Sequence, residues 1–366
     1  MQNTPKTYFK HKLTAVFTVL LASFSFTAFA EETGHTTEHA TEHKTETKFD
    51  AGKMIIEHIS DAHDWHILGE GHNAVSLPLP VILYSSRGFD CFLSSKFEHG
   101  HAAYNGYKLE EQHVVAVNEA GEVDEEVTAS IIDISITKNV ATLFFSVAVL
   151  LWAFLSVAAA YKKNPNQAPK GLQSFLEPLI IFIRDEVAKP SIGAKYEKFV
   201  PYLLTVFFLI LFNNLLGLVP FIPGGANLTG NITFTLVLAA ITFIITTFNG
   251  NKHYWHHIIA MPGVPKWVLI ILTPIELFGV ILRPGVLMIR LFANMTAGHI
   301  IALSFFALIF IFGEMSTGAG FGVSIVSVAF TVFMGCLELL VAFLQAYVFV
   351  LLSAMYFVSA VEEPHH

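Results

Sequence analysis

Charge is scarce in this sequence. Asp, Glu, Lys and Arg make up 14% of its 366 residues, against 54% that are hydrophobic. So little charge excludes an ordinary soluble domain of this length, whose surface needs more. Cysteine is nearly lacking too. Cys91 lies in polar sequence and Cys336 inside an apolar run, which argues against a disulfide between them and against a metal site. Basic residues are few and cluster between Lys162 and Lys198, while acids and histidines crowd the first third and the net charge is -8. That distribution offers no nucleic-acid surface. What the sequence does have is long uncharged runs, the mark of an integral membrane protein.

Three regions follow in order. Residues 1–30 read as a secretory signal: Lys6, Lys10 and Lys12 form a basic start, an apolar stretch follows from Leu13, and Ala28-Phe29-Ala30 supplies a cleavage site. Residues 31–130 form a polar extracytoplasmic region rich in His and acids. It opens with His35, His39 and His43 at four-residue intervals. On a helix these three would share a face and suit a metal, but the surrounding composition favours a solvated acidic tail. Further on, SLPLPVILYSS and YNGYKLEEQHVVAVNEAGEV show strand-like alternation with turn residues between. Residues 131–366 form the membrane domain.

Within that domain the pattern predicts an all-α polytopic protein. An uncharged stretch from Asn139 to Tyr161 is long enough for one outer span. Leu172, Phe175, Leu176, Leu179, Ile180 and Ile183 then recur at helical spacing, with Glu177, Arg184 and Glu186 interspersed. This reads as a short amphipathic helix lying at the interface. Phe199 to Asn251 is again uncharged and is divided by Pro223-Gly224-Gly225 into a helical hairpin. Two further apolar stretches, Trp267 to Phe312 and Phe321 to Val361, exceed a perpendicular span, so both helices must tilt, bend or lie partly flat. Pro274 and Pro284 supply bends in the first. Lys and Arg concentrate between the outer span and the hairpin and again around Lys252 and Lys266, and are lacking at the PGG turn and at 316–320. The positive-inside rule therefore puts the N-terminal region outside and the C-terminus inside.

Glu276, Arg290, His299 and Glu338 stand in these apolar runs, where a charged group costs about 2.5–3.5 kcal/mol at mid-helix. Such groups mark an ion or proton path, a substrate site or buried ion pairs. Arg290 and Asn294 are four residues apart and share a face. His299 is nine residues beyond Arg290, about 13 Å along the axis and about half a turn round. Glu338 and Gln345 share a face of the last helix, about 10 Å apart. In an antiparallel pair Gln345 falls near the level of Arg290 and Glu338 near that of His299. His and Glu can pass protons near neutral pH. Arg never deprotonates, so it serves as a fixed barrier to cations and an attractor of carboxylates. The chain offers Arg290 no obvious mobile carboxylate of its own.

PIELFGVILRPGVLMIRLFANMTAGHI, FNNLLGLVP from Phe212, and ELLVAFLQAYVFVLLSAMYF together resemble ATP synthase subunit a, from about Ile131 to the C-terminus. The resemblance implies one outer span, an interfacial helix, a hairpin and two long tilted helices beside a rotating ring of c subunits, each with a membrane carboxylate. It implies that Arg290 is the arginine facing that ring, with Asn294 one turn on and Gln345 at its flank. Glu276 corresponds to an acid of the exit-side path. His299 and Glu338 correspond to two groups of the uptake half-channel, in the order found in mitochondrial relatives. Asn213 and Asn214 line that path or else join the hairpin helices to each other. Further implied partners are peripheral-stalk b-type subunits, the soluble ATPase head and the lipid of a bacterial inner membrane. No cofactor is expected, and no nucleotide binding by the chain itself. The rival readings are a proton-coupled secondary transporter, against which stands the lack of a second copy of the Arg290 segment, and a structural scaffold held by ion pairs.

Overall fold

A computed structural model describes residues 49–68, 75–100, 102–110, 112–118, 121–163, 167–219, 224–259, 261 and 264–361. The signal segment, His35, His39, His43 and Pro223 lie outside them.

Residues 49–137 build a small module of short elements. Helix α1 (Ala51–Ile59) is followed by a hairpin of β1 (Asp64–Leu68) and β2 (Val75–Pro78), then β3 (Pro80–Ser85), β4 (Gly88–Leu93), β5 (Tyr107–Glu110), β6 (His113–Ala116), a short helix α2 (Glu125–Ala129) and β7 (Ile132–Asp133). The strands pair antiparallel. β3 is central between β4 and β7, and β5 pairs with β6. The alternation in PVILYS puts Val81 and Leu83 inward, fully buried beside Phe97, Tyr107, Val114 and Ala116. The Tyr107 hydroxyl is satisfied by Ser85 Oγ at 2.7 Å. Asp124 caps α2 by accepting from Val127 N and pairs with Arg87 at 3.2 Å. The strand-like segments of the sequence are thus strands, and the sheet takes in Ile132–Asp133 as well.

Beyond Thr137 the chain is helical. Five helical passages are long and apolar enough to cross a membrane: 138–163, 172–217, 232–249, 267–315 and 317–361. The first is α3 (Lys138–Lys163). The amphipathic segment is α4 (Leu172–Ile181), which passes through a π-helical turn (Phe182–Ala188) into α5 (Lys189–Ile192). Its inward residues Leu176, Ile183, Val187 and Ile192 are buried, whereas Phe175, Arg184 and Lys189 are exposed. Gly193, at φ 72°, breaks the helix before α6 (Tyr196–Gly217). The amphipathic segment is thus a helix of its own, set off from α6 at Gly193, although the two together form one apolar passage over 172–217.

The hairpin pairs α6 with α7 (Ile232–Asn249), which Asn231 caps through Thr233 N and Phe234 N. In the turn, a side chain at Gly224 would collide with the carbonyls of Leu216 and Val219, which explains why glycine stands there. After α8 (Lys252–Ile259) come α9 (Lys266–Met315) and α10 (Thr317–Val361), separated by Ser316 alone. Helix α9 runs through both Pro274 and Pro284.

Helix α10 is the organising element of the membrane part. Ala342, Ala346, Phe349, Val350, Ser353, Ala354, Phe357 and Ala360 are buried at helical spacing. They meet Phe199, Leu203, Phe207 and Ile210 of α6 and Leu287 and Leu291 of α9. Phe357 stacks on Phe199 with centroids 4.6 Å apart. The opposite flank of α9 carries Ile275, Phe278, Ile281, Leu282 and Ile289, all exposed. That flank is apolar and uncovered within the chain, as a surface facing lipid or another membrane subunit must be.

Besides its junction with α3, the module is fastened to the later membrane helices by several contacts. Helix α1 packs on α9. Phe49 donates its backbone N–H to Glu314 Oε1 at 2.7 Å and lies against Phe310. Trp65 Nε1 donates to Gly224 O in the hairpin turn at 3.2 Å.

Candidate functional site

Helices α9 and α10 run antiparallel, and contacts along them fix their register. Tyr356 Oη donates to Arg283 O at 3.2 Å. Farther along, His299 Nδ1 lies 3.8 Å from Glu338 Oε1. Between these contacts Gln345 comes level with the turn of α9 that bears Arg290 and Asn294, as the spacing predicts.

His299 and Glu338 face one another inside the bundle, with side chains 14% and 11% exposed. Three local features position them. Gly298 brings α9 close to α10, since a Cβ there would sit 2.8 Å from Glu338 Oε1. Gly217, at the end of α6, stands against the imidazole, since a Cβ there would make ordinary van der Waals contact with His299 Nε2 at 3.8 Å. Asn214 on α6 donates to Ala342 O, one turn from Glu338, at 3.1 Å. Glu338 Oε1 is buried and accepts no hydrogen bond. A carboxyl and an imidazole at this separation can exchange a proton through one bridging water.

Arg290 is placed differently. It is exposed on the flank of α9 together with Asn294, next to the exposed apolar residues Val286 and Ile289. Among the described residues it makes no ion pair. Gln345 is 7% exposed, on the inner side at the same level. Glu276 is half-buried, nearer the start of α9. The buried groups of α8 and the end of α10, Tyr254, Ile258 and Ala360, cluster at that end with Val280. Burial raises the Tyr254 phenol. Glu276 and His299 thus occupy opposite halves of one helix, with Arg290 between them.

Asn213 and Asn214 are buried and do not bond across the hairpin. Asn213 Nδ2 donates to Ser146 Oγ of α3 at 3.1 Å, while Asn214 reaches α10. The Oδ1 atoms of both are without a hydrogen-bond partner.

A second group of polar residues has no counterpart in the sequence reading. Where the module meets α3, His63 Nε2 lies 2.8 Å from Asp133 Oδ2. Burial works to raise Asp133, but hydrogen bonds from His63 and Ser135 outweigh it and hold the carboxyl below its ordinary value. Asp61 accepts from Asn139 N at 3.0 Å and from Thr137 Oγ1 at 2.9 Å, so it caps α3. Lys138 Nζ donates to His58 O at 3.3 Å. The visible signal was Asn139, Thr142 and Ser146, spaced as one helix face in an otherwise apolar span. Cys91 and Cys336 are both free. The described residues contain no cluster of His, Cys, Asp or Glu suited to a metal.

Residues 140–358 match the ATP synthase A chain family, and residues 54–134 match a domain of unknown function. ATP synthase subunit a 2 of Chlorobaculum tepidum is 49% identical over 231 residues, which are 61% of this chain and 62% of that protein. ATP synthase subunit a of Chloroherpeton thalassium is 44% identical over 64% of this chain and 69% of its own length. The subunit of the same name from Myxococcus xanthus is 40% identical over 64% and 76%. The match thus spans a little less than two thirds of the first of these relatives.

Proposed function

The chain belongs to the ATP synthase A chain family, and on that premise we propose that it is the proton-translocating membrane subunit of a rotary ATP synthase. The observation that carries this reading is the exposure of Arg290 on an uncovered apolar flank of α9, pointing away from the enclosed His299–Glu338 pair. An arginine in lipid costs about 2.5–3.5 kcal/mol on insertion scales. Pairing with a carboxylate brought by a neighbouring subunit offsets that cost, and a ring of c subunits presenting such carboxylates in turn fits the flank.

In this reading a proton enters from the outer side, passes His299 and Glu338, and neutralises a ring carboxylate. The neutral group then travels through lipid, reaches the side near Glu276 after almost a full rotation, and loses its proton to the inner side. Arg290, which cannot deprotonate, holds the ionised carboxylate and keeps protons from passing directly between the two half-paths. Asn294 and Gln345 flank it with polar groups, and Asn213 and Asn214 line the uptake side. The driving force is about 2.3 kcal/mol per proton per 100 mV, so several protons are needed per ATP. The chain itself binds no nucleotide. It works with the ring, b-type stalk subunits and the soluble head in a bacterial inner membrane, with the mature N-terminus outside and the C-terminus inside.

Replacing Arg290 tests this directly. Arg290→Ala in the reconstituted complex is expected to abolish coupled ATP synthesis, and near-normal synthesis in that variant would reject the assignment.

A further inference from the structure

The module of residues 49–137 lies over one end of the membrane helices, and that end is the one carrying His299 and Glu338. Helix α1 packs on α9, and both His58 and Lys138 are within electrostatic reach of His299. We propose that this module is the proton-collecting mouth of the subunit, with the His63–Asp133 pair as its acceptor and a buried polar stripe on α3 as the wall along which protons reach His299 and Glu338. This rests on the uptake role given above to those two residues.

A continuous line of polar groups supports it. His63 is 4% exposed and next to Ala62, whose carbonyl accepts from Lys138 N at 2.9 Å. Lys138, 8% exposed, lies in the field of Asp61 and Asp64. Asp61 receives Asn139 N. From there Asn139, Thr142 and Ser146 follow one face of α3, all buried. Ser146 Oγ accepts from Asn213, and the adjoining Asn214 reaches the carbonyl one turn from Glu338.

Along this line His63 Nδ1, Asn139 Oδ1, Asn213 Oδ1, Asn214 Oδ1 and Glu338 Oε1 are buried without a protein partner, five of the eight such atoms among the described residues. Each would cost about 1–3 kcal/mol if left unsatisfied. Buried water is the usual partner of such groups, so their concentration on one line marks a hydrated thread. A pair that merely ties His63 to β7 within the module needs no orphaned atoms continuing inward from it. The chemistry balances without a co-reactant. Uptake from bulk adds one proton to the pair, and transfer inward through the water returns the pair to its starting charge.

The experiment uses the assembled membrane sector in vesicles, stripped of its soluble head, with proton uptake at the outer face driven by an imposed potential in weakly buffered medium. In the double variant His63→Asn, Asp133→Asn, uptake should fall about tenfold, the low end of what charged clefts contribute to capture rates. Adding imidazole to the outer side, as a small mobile proton carrier, should restore it. Trp65→Phe, which loosens the module without touching a titratable group, should show no loss that imidazole repairs. If the double variant does not assemble, Asp61→Asn carries the same test with a smaller fall, because it keeps an acceptor for Asn139 N. Unchanged uptake, or a loss that imidazole leaves in place, would overturn the proposal. Where Glu338→Gln slows uptake and the module variants do not, the module alone loses its role. Where Glu338→Gln has no effect either, the uptake path falls with it.

Discussion

Arg290 and His299 stand nine residues apart on one helix and live in different worlds. His299 is enclosed, 3.8 Å from an acid of its own chain. Arg290 is exposed among apolar side chains and has no ion pair among the described residues. About half a helical turn and about 13 Å separate the group proposed for an internal path from the group proposed for an interface. Helical geometry alone thus keeps the two functions from short-circuiting, because an arginine on the inner face would pair with Glu338 and immobilise it.

The sharpest way to break this contrast is the loss of Arg290, whose expected effect on coupled synthesis is total. Next is Glu338→Gln, which removes the acid but keeps its shape. It should slow proton uptake strongly in reconstituted vesicles while leaving assembly with the ring intact on native gels. Unchanged uptake kinetics would take Glu338 out of the path. A gentler perturbation is Gly298→Ala. The added methyl would stand 2.8 Å from Glu338 Oε1, so the flexible carboxyl must shift and its distance to His299 must change. Uptake should slow by less than in Glu338→Gln, with thermal stability almost unaltered. Equal uptake in Gly298→Ala and wild type would show that the spacing of the pair does not matter.

The smallest effect lies outside both faces. Because Asp133 is held below its ordinary value in the folded module, its contribution to stability is complete above the unfolded pKa and is lost as pH falls through the folded one. Hydrogen exchange at the amides of β3 and β7, corrected for chemical rates, should therefore accelerate below about pH 4. Asp133→Asn should flatten that acid step. An identical acid step in both would assign it to other carboxyls.

Much of this was legible in the sequence because the membrane imposes simple rules. Uncharged runs became helices, Gly224 and Gly225 fall between the two hairpin helices, and the offset between Arg290 and His299 followed from 3.6 residues per turn. The pairing of His299 with Glu338, and the level of Gln345, needed only an antiparallel arrangement. What was not legible depended on tertiary contact. No local pattern gave the π-helical turn at Phe182–Ala188 inside the amphipathic segment. Nothing in the polar region foretold that His63 would meet Asp133 across 70 residues, or that α1 would pack against α9. Asn213 and Asn214 carried a partial signal. Their polarity in an apolar run was plain, but their partners lie on α3 and α10 and not across the hairpin.

The exposed position of Arg290 also bears on how the cell builds the complex. In the proposed assembly, a newly made chain that has not met its ring carries an unneutralised cation on its outer flank, at a cost of about 2.5–3.5 kcal/mol. Only docking removes that cost. Under the role proposed for Arg290, the residue that gates the finished machine would therefore make the orphaned subunit the less stable species, and bias biogenesis toward completion over accumulation of free subunits.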